Sequence, residues 1–119
     1  MTLALLVALA AAAGGTLRWW IAGRLDAHRI WPLGTWLVNL GGSGAIGLLG
    51  GATSAGSAGL DPVWLVLAVA GLGSFTTVSA FGLQTMLLWR AQRGHALSYA
   101  AATMVLCPLA ASLGYLAVA

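Results

Sequence analysis

The sequence has no lysine and no glutamate; its charge is five arginines and two aspartates in 119 residues. Only 6% of the residues are charged, where a soluble domain carries about a quarter. That is too little charge to wet a globule, so the surface must meet lipid. The carboxylates, Asp26 and Asp61, both fall in expected loops, as do His28 and His95, and none has a partner at metal-ligand spacing. No nucleophile–base–orienter set, phosphate-cradling loop or cofactor motif is present, which excludes an enzyme. The one cysteine, Cys107, cannot form an intrachain disulfide and sits in an apolar run, where packing is its usual role. The net charge is only +3 and the arginines cluster in or near two short polar breaks, so no basic patch tracks a nucleic-acid backbone.

What the chain does have is four apolar stretches, each near the roughly 20 residues that span a bilayer. They run from about Leu3 to Ile21, Leu33 to Ala52, Val63 to Trp89 and Ala96 to Val118. The first ends in an alanine-rich run but lacks the basic start of a signal peptide, and is read as a helix. The polar breaks are short: Gly23 to Trp31, the small-residue stretch Thr53 to Pro62, and Arg90 to His95. None is long enough to separate domains, so residues 1–119 form one domain. Trp19, Trp20, Trp31, Trp36, Trp64 and Trp89 all lie near expected helix ends, where indoles sit at headgroup level. The expected fold is an all-α integral membrane protein of four transmembrane helices.

With four helices, Arg24, Arg29, Arg90 and Arg93 share one side, and Arg18 lies at that end of the first helix. The opposite side has no lysine or arginine. Positive charge stays cytoplasmic, so the arginine loops are expected inside a cell membrane and both termini outside. Such a bias holds a chain in one orientation.

In the second helix Asn39, Ser43, Gly47 and Gly51 recur every four residues and stack on one face. The glycines read as a packing seam. Asn39 is costly in a spanning helix unless partnered or wetted, so it either lines a polar pathway or makes an interhelical hydrogen bond. The third stretch carries Gly71-Leu72-Gly73-Ser74-Phe75-Thr76-Thr77-Val78-Ser79 near its middle. That density of glycine and hydroxyl residues fits a break near the midplane, buried in protein or facing a cavity; the alternative is a continuous helix with a glycine kink. Carbonyls freed by a break can ligate a cation. In the fourth helix Tyr99, Thr103 and Cys107 form a polar stripe that either faces a path or bonds back to its own carbonyls. Arg18, about one turn inside its helix end, either snorkels or draws anions into a vestibule.

These motifs resemble the CrcB/Fluc family of fluoride channels along nearly the whole chain. The signatures are Gly-Gly-x-x-Arg (Gly14 to Arg18), Pro-x-Gly-Thr-x-x-Val-Asn-x-x-Gly-Ser (Pro32 to Ser43) with Gly47 following, Gly73 to Phe81, and Tyr99 with Gly114. The resemblance implies a subunit of an antiparallel, dual-pore dimer that exports fluoride passively. It implies a structural sodium ion on the backbone carbonyls of Gly73 and Thr76. It also implies an anion path along Asn39, Ser79, Phe81, Tyr99 and Thr103, with Arg18 in the vestibule.

Two positions depart from the family pattern. Val78 stands for its first pore phenylalanine and Ala80 for a threonine, so the pore surface there is expected to be degraded. Gly44 and Ser74 also differ. The arginine bias opposes insertion both ways, so the partner is either a second copy or an oppositely oriented homologue. A non-conducting assembly subunit is the main alternative. A small multidrug transporter fits less well, because it needs an intramembrane carboxylate.

Overall fold

The computed structural model describes residues 2–56 and 61–119. The chain forms α1 (Thr2–Asp26), α2 (Leu33–Ser54), α3 (Pro62–Phe75), α4 (Val78–Ala91) and α5 (Arg93–Val118). The stretch Thr53 to Pro62, read as one polar break, falls partly outside the described residues: Thr53 and Ser54 close α2 and Pro62 opens α3.

Among the described residues, three segments are long and apolar enough to cross a membrane: Thr2–Asp26, Pro62–Ala91 counted as one, and Arg93–Val118. The fourth expected span, α2, has the length at 22 residues, but seven of them are glycine. That glycine content has a structural reason. α2 carries seven buried residues, while α1 and α3 carry none and α4 only Leu88. It is the central helix, packed most extensively on α5, with α1 on its other side and α3 laid against α1. Small residues on its packed faces suit that place, because they let neighbouring helix backbones approach closely, while Leu37, Ile46 and Leu48 stay exposed. A Cβ at Gly47 would run into the Ala111 backbone of α5, and one at Gly14 of α1 into the Gly71 carbonyl of α3. Outward, leucine, valine and tryptophan side chains stay exposed, as on Trp19, Trp64 and Leu116, which suits a lipid-facing surface.

Several loop expectations are corrected. α1 continues to Asp26, so Arg24 and Asp26 are helical and Arg18 lies about two turns inside the helix end rather than one. The break expected at Arg90 to His95 shrinks to Gln92, with Arg90 in the last turn of α4 and Arg93 and His95 in the first turn of α5. The reason lies in the residue types: arginine is a good helix former, and its charge reaches water from a helical backbone by snorkelling. The guanidinium of Arg24 lies 4.8 Å from the Trp20 ring centroid and that of Arg93 5.2 Å from Trp89. His28 ends the α1 turn with φ 64°, a left-handed conformation of the kind that closes helices.

Neither carboxylate is an idle loop charge. Pro32 precedes α2 and offers no side-chain cap, so the first amides of the helix need an outside acceptor. Asp26 supplies it. Its Oδ1 accepts from Gly34 N–H at 2.5 Å, and its Oδ2 accepts from Thr35 N–H at 3.3 Å and Thr35 Oγ1 at 2.8 Å. Asp61 caps α3, accepting from Val63 N–H at 2.8 Å.

Candidate functional site

Between α3 and α4 the backbone is extended at two threonines, with ψ 156° at Thr76 and φ −151°, ψ 119° at Thr77. An interruption of this kind exposes backbone groups that lipid cannot satisfy, and named side chains take them up. The Asn39 Oδ1 accepts from Thr77 N–H at 2.7 Å, and its Nδ2 donates to the Thr77 carbonyl at 3.0 Å. The Thr77 hydroxyl caps α4 by accepting from Ala80 N–H at 3.1 Å, and lies 3.2 Å from the Ser79 hydroxyl. Arg18 Nε donates to the Ser74 carbonyl at 3.2 Å, which sets a cation against the negative end of the α3 dipole.

The diverted amides matter for Gly73 and Thr76. In an unbroken helix their carbonyls would accept from residues four further on, Thr77 and Ala80. Those two N–H groups donate instead to the side chains of Asn39 and Thr77. Gly73 is exposed and Thr76 half-buried.

Two cavities meet at Thr77. One, of about 220 Å³, is lined by Asn39, Thr76, Thr77, Val78, Phe81 and Thr103, with Ser43 and Cys107 also at its wall. The other, of about 310 Å³, is lined by Arg18, Asp26, Thr35, Thr77, Ala80 and Gln84. The structure thus brings Asn39, Phe81 and Thr103 together with Thr76 and Val78, and sets Arg18 with Ala80 on the second cavity. Ser79 is exposed, and Val78 is 83% exposed.

Tyr99 lies apart from the cavity walls, fully buried, with its ring centroid 5.5 Å from Phe81 and 5.3 Å from Trp31 in an edge-to-face arrangement. Its hydroxyl donates to Gln84 Oε1 at 2.9 Å. Thr103 Oγ1 donates to the Tyr99 carbonyl at 2.8 Å, so of the two readings open for this stripe Thr103 adopts the back-bonded one while still facing a cavity. For Asn39, too, both readings hold at once: it makes an interhelical pair and lines a cavity.

Gln84, Thr35 and Thr77 join the site without being singled out by the sequence. The signal for Gln84 was the one used for Asn39, a carboxamide within a spanning segment. Thr35 and Thr77 sat within the motifs, but only tertiary contact shows what they bond.

Residues 5–115 match the family described as CrcB-like protein, Camphor Resistance (CrcB). The chain is 38% identical over 119 residues to a protein of Rhodopseudomonas palustris (strain BisB18) named fluoride-specific ion channel FluC 2, covering 95% of this chain and 90% of the relative. It is 39% identical over 119 residues to a fluoride-specific ion channel FluC of Paramagnetospirillum magneticum, covering 94% and 91%. Against a FluC 2 of Bradyrhizobium diazoefficiens it is 40% identical over 109 residues, covering 87% and 79%. With its apolar helices and a match along almost its whole length, the chain is a multi-pass membrane protein and belongs to the CrcB/FluC family.

Proposed function

We propose that the chain is a subunit of a fluoride-specific ion channel that gives fluoride a passive way out of the cell, rather than an enzyme. The observation that carries this reading is the cavity at the α3–α4 interruption, where Asn39 and Thr103 meet the ring of Phe81. Fluoride is a small, strongly hydrated anion, and its water must be replaced by donors. An amide NH₂ has two N–H groups; one of Asn39's is used by the Thr77 carbonyl, and the other is the donor offered to the ion. Thr103 joins when its hydroxyl turns from the Tyr99 carbonyl. The Phe81 ring edge carries partial positive charge and adds to these donors. Ser79 extends the path on its exposed side, and Tyr99 backs it from behind the Phe81 ring. Arg18 draws anions into the second cavity, which Thr77 joins to the first.

Val78 and Ala80 bring no ring edge and no donor to this surface, so the path is narrower in chemistry than the family pattern. The interruption of α3 and α4 is read as a break near the bilayer midplane. A sodium ion fits there on the carbonyls of Gly73 and Thr76, whose regular helical donors are diverted; small hard cations take oxygen ligands of this kind. Bound, it would supply positive charge where two chains meet.

The partner is a chain of opposite orientation in the same lipid. His28 and Arg29 share a cavity with His95, so loop one and the α4–α5 junction gather the arginines at one end, read as cytoplasmic. That bias favours an oppositely oriented homologue over a second copy, giving a heterodimer. Mapping the C-terminus in cells checks it: one external orientation is expected, and equal populations of both remove the argument. The channel reading itself is tested by expression, alone and together with such a homologue, in a fluoride-hypersensitive bacterial host. Growth rescue in fluoride, lost on Asn39→Ala at equal expression, is the expected result; rescue untouched by that change would leave the cavity without its role.

A further inference from the structure

We infer that Asp26 is a positioning residue for Tyr99, acting through Thr35 and Gln84. Four side chains from four helices form one line of hydrogen bonds. Tyr99 Oη donates to Gln84 Oε1 at 2.9 Å, Gln84 Nε2 donates to Thr35 Oγ1 at 3.0 Å, and Thr35 Oγ1 donates to Asp26 Oδ2 at 2.8 Å. The direction of this line is dictated from one end. A carboxylate only accepts, so Thr35 must give Asp26 its single hydroxyl proton. Thr35 can then only accept from Gln84, which turns the NH₂ of the amide toward Thr35. The amide oxygen is left facing Tyr99, and the tyrosine must donate.

Asp26 therefore fixes where the Tyr99 proton lies without touching Tyr99. Its other contacts make the effect reversible by a neutral substitution. In Asp26→Asn one of the two positions must carry NH₂, and an NH₂ facing the Gly34 N–H at 2.5 Å is the worse clash, since Thr35 N–H sits at 3.3 Å. The NH₂ is driven to the Thr35 side, where Thr35 Oγ1 accepts from it. The Thr35 proton then goes to Gln84, the amide turns over, and the Tyr99 oxygen accepts. Its own proton is released from Gln84.

The consequence for ion flow rests on the proposed fluoride path; the line of bonds does not. The chain has two tyrosines, so selective ¹³Cζ labelling gives two resonances, and Tyr115 on the last turns of α5 serves as internal reference. The full chain is compared in lipid bilayers with Asp26→Asn and with Thr35→Val, which interrupts the line while leaving both ends in place. The Tyr99 resonance is expected to shift in both variants with Tyr115 unmoved, and to stay in place in Asp61→Asn. An unmoved Tyr99 in either folded variant, or an equal shift in Asp61→Asn, overturns the inference. If Asp26→Asn does not fold, Thr35→Val decides alone. Fluoride efflux from the same samples is a separate reading: a shifted Tyr99 with unaltered efflux keeps the positioning role and removes Tyr99 from the ion path.

Discussion

Asn39 holds both backbone groups of Thr77, accepting from its N–H at 2.7 Å and donating to its carbonyl at 3.0 Å. This pairing does for the extended residues what a neighbouring strand would do, inside a helical protein. Asn39→Ala leaves two buried backbone groups without a partner, so a loss of about 1–3 kcal/mol is expected, read as a lowered melting temperature in detergent. Asn39→Asp keeps the acceptor but sets an oxygen against the Thr77 carbonyl, and is expected to lower melting too and to abolish fluoride efflux as Asn39→Ala does. Unaltered melting in both variants would contradict the pairing.

Gly47 and Gly41 lie on the same helix with opposite surroundings. A Cβ at Gly47 meets the Ala111 backbone, while one at Gly41 meets nothing within 4 Å. Gly47→Ala must push α2 from α5 and is expected to lower stability by about 1–3 kcal/mol. Gly41→Ala is expected to be neutral, or stabilising by up to about 1 kcal/mol as an ordinary helix substitution. Thermal unfolding of the two variants side by side checks this; equal effects would place the α2–α5 contact elsewhere.

Val78 is 83% exposed yet lines the cavity of Asn39 and Phe81. A larger side chain there has room, so Val78→Phe is expected to leave melting unchanged. It adds a ring edge beside the proposed anion path, and faster fluoride efflux per protein is the expected outcome. Slower efflux would mean that the cavity's width, rather than its donors, limits the ion.

Much of this was legible in the sequence for a physical reason. Lipid tolerates few charges, so the apolar stretches mark the helices, and a polar residue such as Asn39 within one stands out by its cost. Helix ends were less legible. Arg24, Arg90 and Arg93 looked like loop residues because charge in a membrane protein usually marks water, yet an arginine side chain reaches water from a helical backbone. The seven glycines of α2 likewise go with a central position that only the packed helices reveal. Within the site, Asn39, Phe81 and Thr103 came from motif and spacing. Gln84 did not, because its partners Thr35 and Tyr99 are distant in sequence and meet it only when α2, α4 and α5 pack.

On the proposed function, the cavity beside the α3–α4 interruption carries fluoride. The most direct test is efflux from liposomes holding the chain, alone and with an oppositely oriented homologue, followed with a fluoride electrode and a chloride electrode in parallel. Rapid fluoride efflux with chloride retained, abolished by Asn39→Ala, is the result expected. Efflux of both ions alike, or no fluoride efflux from folded protein in either pairing, would take that role from the cavity.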